Sequence, residues 1–452
     1  MGHDIETREA KPSGRKASGG APGLVQVFST HSPVCRPIFV SRGPVVIGRA
    51  EDVTVSLPDD PELSRRHTEV AHDGRAWTVR DLDSRNGTFV DGRRIRGTWT
   101  GEALHTVRAG MSVFAVEDDL ARFARGGVEL TAGRVIGPEV REILLAVGLA
   151  ASRRQNLLVT GESGTGKEFT ARVFHAQGPN GRGPFVDVNC AAVRETIAEA
   201  LFFGAKRGAY SGADRDQAGY IASADGGVLY LDEFALLHAA VQGSLLRVTE
   251  TREVVPLGAA HGKKVDVLFV CATNADMHAL IAEGQFREDL FRRLAQKVVR
   301  LPPLRERREE IAYMVAMAID DWAKASDCAS LRATPAFIEA CLLRTWSGNV
   351  RELSSAVSEA CDRAMAANAE ELEPPDLPQP RSALPATAKS AAAAEAPAPD
   401  AGPVVPPKDR QLEAFAKALE QLGGDVVRAA KHVGISRSTG FIWRANLEKN
   451  RK

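Results

Sequence analysis

The stretch GESGTGKE at positions 161–168 has the residue types and spacing of a phosphate-binding loop. It follows the apolar run NLLVT and precedes a helical segment, which is the strand, loop and helix context that the pattern G-x-x-x-x-G-K requires. Glycines let backbone N–H groups converge on phosphate oxygens, and Lys167 is placed to bridge the terminal phosphates. Glu168 stands where many such loops have a magnesium-binding Ser or Thr, so a metal must rely more on other ligands. The predicted nucleotide-contacting residues are Gly161, Glu162, Ser163, Gly164, Thr165, Gly166, Lys167 and Glu168.

A second set of chemical groups ends the apolar run GGVLYLDEF at 226–234. This pattern predicts a buried strand that delivers Asp232 and Glu233 to the sheet edge where α/β folds hold ligands. Asp232 would hold Mg²⁺, directly or through water, and Glu233 would polarise the attacking water. An acidic N-cap for the following helix is an alternative role that is compatible with both. Together the two segments predict a site for ATP and Mg²⁺.

The elements that must position these groups are α/β in pattern. Apolar strands alternate with helix-length segments over residues 135–303, which predicts a parallel sheet, and residues 304–368 are expected to be a helical lid. Short β-prone runs punctuated by Gly, Asp and Asn predict an all-β sandwich over 24–117. The remaining segments are expected to be a disordered tail (1–23), a linker (118–134), a Pro/Ala-rich linker (369–407) and a small all-α module (408–452).

Composition is that of an ordinary globular protein of 452 residues, with 44% hydrophobic and 26% charged residues and a formal net charge of zero. Any nucleic-acid contact must therefore come from a local patch. Residues 408–452 supply one, with 10 Lys/Arg against 5 Asp/Glu. The six cysteines form no C-x-x-C pair, which favours reduced thiols over disulfides or zinc. No apolar run is long enough to span a bilayer and no signal peptide is evident, so we expect a cytoplasmic protein without membrane partners.

Several further motifs occur in order between residues 135 and 367: VNCAAV, EALFFGAKRGAYSGA, VCATNAD, FREDLFRRL, LPPLRER and WSGNVREL. With the two segments above, they resemble the AAA+ ATPases that activate the bacterial sigma-54 RNA polymerase. The resemblance implies that Asn189 is a switch holding Glu233, that Asn274 senses the γ-phosphate, and that Arg351 is a second sensor on the lid.

The same resemblance implies that Arg287 and Arg293 are offered to the ATP of a neighbouring subunit, and therefore that the protein assembles into a hexameric or heptameric ring. The sequence departs from the family at WSGN (usually WPGN), at Ser355 (usually Asn), and at Pro256 and Leu268 (often Arg). None of these changes removes a catalytic group.

The loop GAYSGA resembles the family's GAFTGA loop, whose Phe and Thr contact sigma-54. Tyr keeps a flat apolar face and adds a polar tip, while Ser keeps the hydroxyl. The implied sigma-54 contacts are Gly208, Ala209, Tyr210, Ser211, Gly212 and Ala213.

Three motifs in the β-rich segment, GR at 48–49, SRRH at 64–67 and SRNGTFVDG at 84–92, resemble the forkhead-associated (FHA) domain, a phosphothreonine reader. The match implies that Arg49 and Ser64 contact the phosphate, that Arg65 lines its edge and that Asn86 grips the ligand backbone. Arg85 occupies a position that is often Thr or Ser, and His67 is expected to brace the loop. Because this module stands where many relatives have a receiver domain, the input is expected from a Ser/Thr kinase pathway rather than an aspartyl phosphorelay.

Near the C-terminus, DVVRAAKHVGISRSTGFIWRAN reads as helix, turn, helix and resembles the Fis-type helix-turn-helix. The second helix would enter the major groove of enhancer-like double-stranded DNA as part of a dimer, with Arg437, Ser438, Thr439 and Arg444 at bases or phosphates. Gly440 stands where relatives usually have Leu, and Phe441 and Trp443 are expected to compensate by packing.

Three functions remain open on the sequence. The first is a DNA-tethered ATPase ring that remodels the closed sigma-54 polymerase complex and activates transcription. The second is a phosphothreonine-gated DNA-binding regulator or repressor that no longer remodels sigma-54, and the third is a AAA+ remodeller of another protein. Intact Lys167, Asp232, Glu233, Arg287 and Arg293 argue against an inactive ATPase.

Overall fold

A computed structural model describes residues 20–40, 43–131, 133–210, 214–328 and 330–380, together with 415–419, 426, 429 and 443. The chain divides into two units, residues 1–382 and 383–452. None of the helices among the described residues is long and apolar enough to cross a membrane.

The N-terminal domain is a sandwich of two sheets, as its alternating apolar runs predict. One sheet has the strand order β2-β1-β11-β10-β7-β8 and the other β4-β3-β5-β6-β9. Side chains from both inner faces, including Leu24, Ile47, Trp77 and Phe114, form its core. The strands are β1 (Gly23–Ser29), β2 (Ser32–Phe39), β3 (Val45–Gly48), β4 (Val55–Ser56), β5 (Thr68–His72), β6 (Trp77–Asp81), β7 (Thr88–Val90), β8 (Arg93–Arg94), β9 (Thr98–Gly101), β10 (Thr106–Ala109) and β11 (Ser112–Glu117).

Residues 118–134, which we expected to be a linker, carry regular structure. A 3-10 helix (Leu120–Arg125) is followed by the antiparallel pair β12 (Glu129–Thr131) and β13 (Arg134–Ile136). Leu120, Phe123 and Val128 are buried in the same apolar cluster as the lid helices. The segment is therefore packed against the protein, because its apolar side chains are buried among those of the lid helices.

The central subdomain is a parallel five-stranded sheet with the order β15-β18-β21-β14-β22. Strand Leu268–Thr273 is buried along its whole length and apolar up to its last residue, Thr273, as expected for a sheet covered by helices on both faces. The strands are β14 (Leu157–Thr160), β15 (Phe185–Asn189), β18 (Val228–Asp232), β21 (Leu268–Thr273) and β22 (Lys297–Arg300), with two small hairpins, β16 (Gly204–Ala205) with β17 (Gln217–Ala218) and β19 (Glu253–Val254) with β20 (Lys263–Lys264). The helices are α1 (Pro138–Ser152), α2 (Lys167–Gln177), α3 (Glu195–Phe203), α4 (Tyr220–Ser223), α5 (Ala239–Thr251), α6 (Met277–Ala282) and α7 (Glu288–Leu294).

The lid contains α8 (Ile311–Ser326), α9 (Pro335–Leu343) and α10 (Asn349–Ala366). The expectation that it is entirely helical is wrong in one detail, because β23 (Arg332–Ala333) pairs in parallel with β24 (Glu371–Leu372). The second of these strands and the 3-10 helix Pro374–Asp376 lie in the segment expected to be an extended linker, and Leu372 is buried in the lid core.

In the C-terminal unit, the described residues include a small apolar cluster. Phe415, Ala418, Val426 and Ala429 are buried, and the rings of Phe415 and Trp443 lie 5.8 Å apart. The predicted DNA-contacting residues Arg437, Ser438, Thr439 and Arg444, and Gly440, lie outside the described residues.

Candidate functional site

The phosphate-binding loop joins β14 to α2, as its sequence predicts. Gly161, Gly164 and Gly166 have φ values of +155°, +77° and +106°, which residues other than glycine rarely adopt. A Cβ at Gly164 would lie 2.3 Å from the carbonyl oxygen of Gly348, so glycine also permits the lid to approach the loop.

Lys167 is 8% exposed and points back into the loop. Its Nζ donates hydrogen bonds to the carbonyl oxygens of Gly161 (2.9 Å) and Glu162 (3.2 Å). Burial lowers the pKa of this ammonium group, while the nearby carboxylates of Glu233 and Asp232 act in the opposite direction. Lys167 therefore already places its positive charge where the phosphate oxygens of a nucleotide would bind in place of the two carbonyl oxygens.

Strand β18 ends at the first of the two predicted carboxylates, Asp232, and Glu233 follows it directly. The backbone N–H of Glu233 donates to Asp232 Oδ1 (3.0 Å), and Glu233 has a left-handed φ of +50°, a strained conformation for a residue other than glycine. On the neighbouring strand β15, Asn189 is in register with Asp232. Its Oδ1 accepts a hydrogen bond from the Ala191 backbone N–H (2.9 Å), so the expected contact with Glu233 stays a prediction.

The surroundings of Asp232 are acidic, which suits a divalent cation. Burial, together with the nearby Glu168 and Asp232, raises the pKa of Asp187, and burial beside Asp232 raises that of Tyr230. Among the described residues, no group of three or more His, Cys, Asp or Glu side chains is arranged to hold a metal ion. Magnesium, if bound, would be held by Asp232 together with substrate phosphates and water, which is its usual coordination in nucleotide sites.

A cavity of about 510 Å³ lies between the phosphate-binding loop and the lid. Its lining combines the loop, Asp232 and Glu233 with apolar side chains. Anion-binding groups and apolar side chains in one cavity together fit a nucleoside triphosphate. The apolar lining comprises Val135, Val140, Phe169, Leu301, Met314, Met317 and Val350.

The lid contacts the phosphate-binding loop through an ion pair and hydrogen bonds that we did not predict. Arg305 forms a two-pronged ion pair with Glu162 (2.7 and 2.9 Å), and Arg307 donates to the Thr165 carbonyl oxygen (2.9 Å). Glu162, predicted to contact the nucleotide, is thus engaged by the lid.

The first turn of α10 makes the second set of lid contacts. Buried Asn349 donates to Glu162 (3.1 Å) and to the Ser163 carbonyl oxygen (2.9 Å). Arg351, the predicted second sensor, lines the cavity and donates to Ser163 Oγ (3.2 Å). The available sequence signal was that Arg305 and Arg307 lie within the motif LPPLRER and Asn349 within WSGNVREL.

Three other predicted residues, Asn274, Arg287 and Arg293, lie outside the described lining of the cavity. Asn274 directly follows β21, whose last residue Thr273 accepts a hydrogen bond from the Gly161 backbone N–H (3.2 Å). Arg287 is exposed and paired with Asp289 (2.7 Å), and exposed Arg293 is paired with Glu250 (3.4 Å). Neither arginine is among the described residues that line the nucleotide cavity of its own chain.

The described residues of GAYSGA, 208–210, lie in the segment between β16 and β17 of one hairpin. Lys206 and Asp216 close its base with an ion pair (2.6 Å), and Gly208 has a φ of +81°. Tyr210 is 40% exposed, which is high for a large apolar side chain. The predicted contacts Ser211, Gly212 and Ala213 lie outside the described residues.

The loops of the sandwich domain bring the predicted phosphothreonine-binding residues together. The Arg49 N–H donates to the Ser64 carbonyl oxygen (3.1 Å), and the Arg85 N–H donates to Ser64 Oγ (3.1 Å). Asn86 Nδ2 donates to the Glu62 carbonyl oxygen (2.8 Å), and exposed Arg65 adjoins Ser64. Gly48 ends β3, where a Cβ would lie 2.2 Å from the Arg65 carbonyl oxygen.

His67 braces these loops from beneath. Its Nδ1 accepts from the Ser64 backbone N–H (3.2 Å), and its Nε2 therefore donates to the Gly87 carbonyl oxygen (3.1 Å). Burial lowers the pKa of this imidazole, although the Gly87 carbonyl, Asp81 and Asp60 favour its charged form.

We expect acid to loosen this brace. Because the folded-state pKa of His67 lies below the unfolded value of about 6.5, its contribution to stability is present at neutral pH and falls as the pH drops through about 6.5. The measurement is thermal unfolding of the wild type, His67→Asn and the exposed-histidine control His261→Asn at pH 8 and 5.5. His67→Asn should lose less stability on acidification than the other two proteins, and an equal loss in all three would contradict the assignment.

Comparison with known proteins gives three family matches. Residues 136–300 match the Sigma-54 interaction domain, residues 45–106 the FHA domain and residues 305–394 the AAA+ ATPase lid domain. The chain is 35% identical over 302 residues to the transcriptional regulatory protein ZraR of Klebsiella oxytoca, which is 67% of this chain and 66%, just under two thirds, of that protein. It is 33% identical over 331 residues to ZraR of Salmonella typhi, covering 72% of each. The crystal structure of NtrX from Brucella abortus in complex with ADP is similar with a TM-score of 0.50 and 28% identity, covering 68% of each chain.

Proposed function

Because the chain belongs to the family of sigma-54-interacting AAA+ transcriptional regulators, we propose that it hydrolyses ATP to remodel the closed complex of sigma-54 RNA polymerase. The observation that carries this proposal is the cavity that brings Lys167, Asp232, Glu233 and Arg351 together between the loop and the lid.

The residues divide the chemistry between them. Lys167 exchanges its two backbone carbonyl partners for phosphate oxygens, and Glu233 orients the water that attacks the γ-phosphate. Magnesium held at Asp232 would neutralise charge on the phosphates. Arg287 and Arg293 act on the ATP of a neighbouring subunit, which makes hydrolysis depend on a ring, hexameric or heptameric by resemblance.

The loop around Tyr210 is proposed as the contact with sigma-54. It lies on a hairpin whose strand β16 follows directly on α3, after the segment that contains Asn189. Nucleotide state, sensed at Asn189 and Glu233, would then raise or lower the loop, and exposed Tyr210 would present its ring to the partner.

We expect Tyr210→Ala to separate hydrolysis from transcription. Removing an exposed anchoring ring should lower ATP-dependent open-complex formation by about tenfold or more. ATPase activity should stay near wild type, because the ring makes no part of the nucleotide cavity. An assay with purified sigma-54 polymerase measures both, and Phe39→Ala, which removes a similarly exposed ring on the sandwich domain, is the control.

A wild-type protein that hydrolyses ATP but forms no open complex would overturn the sigma-54 proposal. The DNA-binding regulator or repressor and the remodeller of another protein would then be the better readings.

For the FHA domain, we propose that it reads a phosphothreonine-containing protein from a Ser/Thr kinase pathway. Arg49, Ser64, Arg65 and Asn86 lie on loops tied to one another by hydrogen bonds, so the donors are organised before a ligand arrives. Arg85 adds a further exposed guanidinium beside them.

Arg49→Ala is expected to weaken binding of a phosphothreonine peptide library by about 10- to 100-fold, which is the value of a lost charge-assisted contact. Fluorescence anisotropy with phosphorylated and unphosphorylated libraries measures this. Arg75→Ala removes an exposed arginine of the same domain that is paired with Glu102, and it should bind like the wild type. If Arg49→Ala also bound normally, the proposed phosphate contact would be abandoned.

Residues 408–452 are proposed to bind enhancer-like DNA as a dimer, with Arg437, Ser438, Thr439 and Arg444 toward the major groove. The support is the basic excess of this segment, its helix-turn-helix pattern and the packing of Phe415 against Trp443.

A further inference from the structure

The FHA domain and the AAA+ lid both contribute side chains to one apolar cluster, which is separate from the core inside the sandwich. Strands β1 and β11 are buried on both faces: Leu24 and Phe114 point into the sandwich, while Val25 and Val113 join the lid cluster. The lid contributes Ile311, Val315, Ile319, Phe337 and Ile338 to this cluster. The outer face of one FHA sheet is therefore an interface, and its partner is the lid of the same chain.

A buried carboxylate lies in this interface. Glu339 of α9 is 2% exposed and accepts hydrogen bonds from three groups of the FHA domain. These donors are the Gly92 backbone N–H (3.0 Å), Thr106 Oγ1 (3.0 Å) and Arg108 Nε (2.6 Å). A charge in such a position is stable only while its partners stay in place, so the lid is sensitive to their positions.

Those partners are connected to the phosphothreonine loops. Strand β7 runs from the loop of Asn86 to the turn of Gly92, and it pairs with β10, which carries Thr106 and Arg108. The Arg108 guanidinium also lies 3.7 Å from the ring centre of Phe89 in β7. A shift of the Asn86 loop would thus be transmitted along one short strand to the donors of Glu339.

On its other side, Glu339 is connected to the nucleotide site. In the same helix, the Cys341 carbonyl oxygen accepts from Trp346 Nε1 (2.7 Å), and the Trp346 carbonyl oxygen accepts from the Asn349 N–H (2.8 Å). Asn349 in turn donates to Glu162 and Ser163 of the phosphate-binding loop.

A second buried ion pair joins the domains nearby. Arg122 of the connecting segment contacts Glu117 at the end of β11 (2.8 Å) and fully buried Glu309 of the lid (2.9 Å). Buried charged groups therefore hold the FHA domain against the lid at two places. A movement of the groups around Glu339 would thus move the lid as well.

We propose that Glu339 couples the phosphothreonine site to the nucleotide site through this interface, so that each ligand changes the affinity of the other. This rests on the proposed phosphothreonine and ATP binding. Because coupling between sites is reciprocal, it is measurable as a binding ratio without any transcription assay.

The test measures the affinity of the full-length protein for a phosphothreonine peptide library with and without saturating ADP. Wild type should show a difference of about fivefold or more, the lower end of typical coupling. In Glu339→Gln, which keeps the shape but loses the Arg108 ion pair, the ratio should fall to within twofold. Glu359→Gln, which breaks an exposed lid ion pair, should keep the wild-type ratio.

Equal peptide affinity with and without ADP in a wild type that binds both ligands would overturn the coupling and leave the proposed function standing. An unchanged ratio in Glu339→Gln would also overturn it. Failure of the wild type to bind phosphothreonine peptide at all would instead refute the FHA assignment. Thr106→Val, which removes one donor at nearly constant volume, provides a second variant with an intermediate ratio should thermal unfolding show that Glu339→Gln does not fold.

Discussion

Glu233→Gln should bind ATP with near wild-type affinity and hydrolyse it about 10²- to 10⁴-fold more slowly, the range for removal of a positioned general base. The amide keeps the shape and the left-handed backbone of Glu233 but cannot accept the proton of the attacking water. Single-turnover hydrolysis and nucleotide binding measure the two effects separately. Glu195→Gln, an exposed glutamate in the first turn of α3, is the control.

Hydrolysis within tenfold of wild type in Glu233→Gln would remove Glu233 from the catalytic role. A parallel loss of ATP binding would indicate instead that the carboxylate organises the cavity.

The second large effect is expected from Arg293→Ala and from Arg287→Ala. Each should lower the steady-state ATPase rate by about 10³-fold, because an arginine supplied by a neighbour stabilises charge on the transferred phosphoryl group. Arg292→Ala is a closely matched control, since this adjacent exposed arginine pairs with Glu288 of its own helix.

Mixing distinguishes action between subunits from action within one subunit. Lys167→Ala and Arg293→Ala should each be inactive alone, and the mixture should regain activity where an intact Lys167 faces an intact Arg293 of the next subunit. No recovery in mixed rings would contradict the shared site. The exposed positions of Arg287 and Arg293, away from the described lining of their own cavity, motivate this experiment.

The local sequence pattern was sufficient to predict the nucleotide-binding elements. The phosphate-binding loop and the strand ending at Asp232, with Glu233 after it, are each encoded within about ten consecutive residues, where glycine positions and an apolar run determine the conformation. The FHA loops were found for the same reason, since each motif is a short continuous stretch of sequence.

The contacts that sequence reasoning missed join residues far apart in the chain. Arg305 with Glu162 and Arg108 with Glu339 are ion pairs separated by 143 and 231 positions. In the sequence PAFIEACLL, Glu339 is the one charged residue of an otherwise apolar helix, which indicates a buried position but not the distant groups that pair with it. Likewise, Leu120 and Phe123 carry no local signal that the lid is present to bury them, so their segment was interpreted as a linker.

The two-sided burial of β1 and β11 also limits how this protein could have arisen and how it can be re-engineered. An ordinary antiparallel sheet keeps polar side chains on its outer face, whereas here Val25, Val27 and Val113 occupy that face. The FHA domain consequently cannot simply be exchanged for the FHA domain of another protein. A gene fusion that exchanged it for a free-standing FHA domain would confront the apolar lid with a polar surface, and the graft would require matching changes on both sides of the junction.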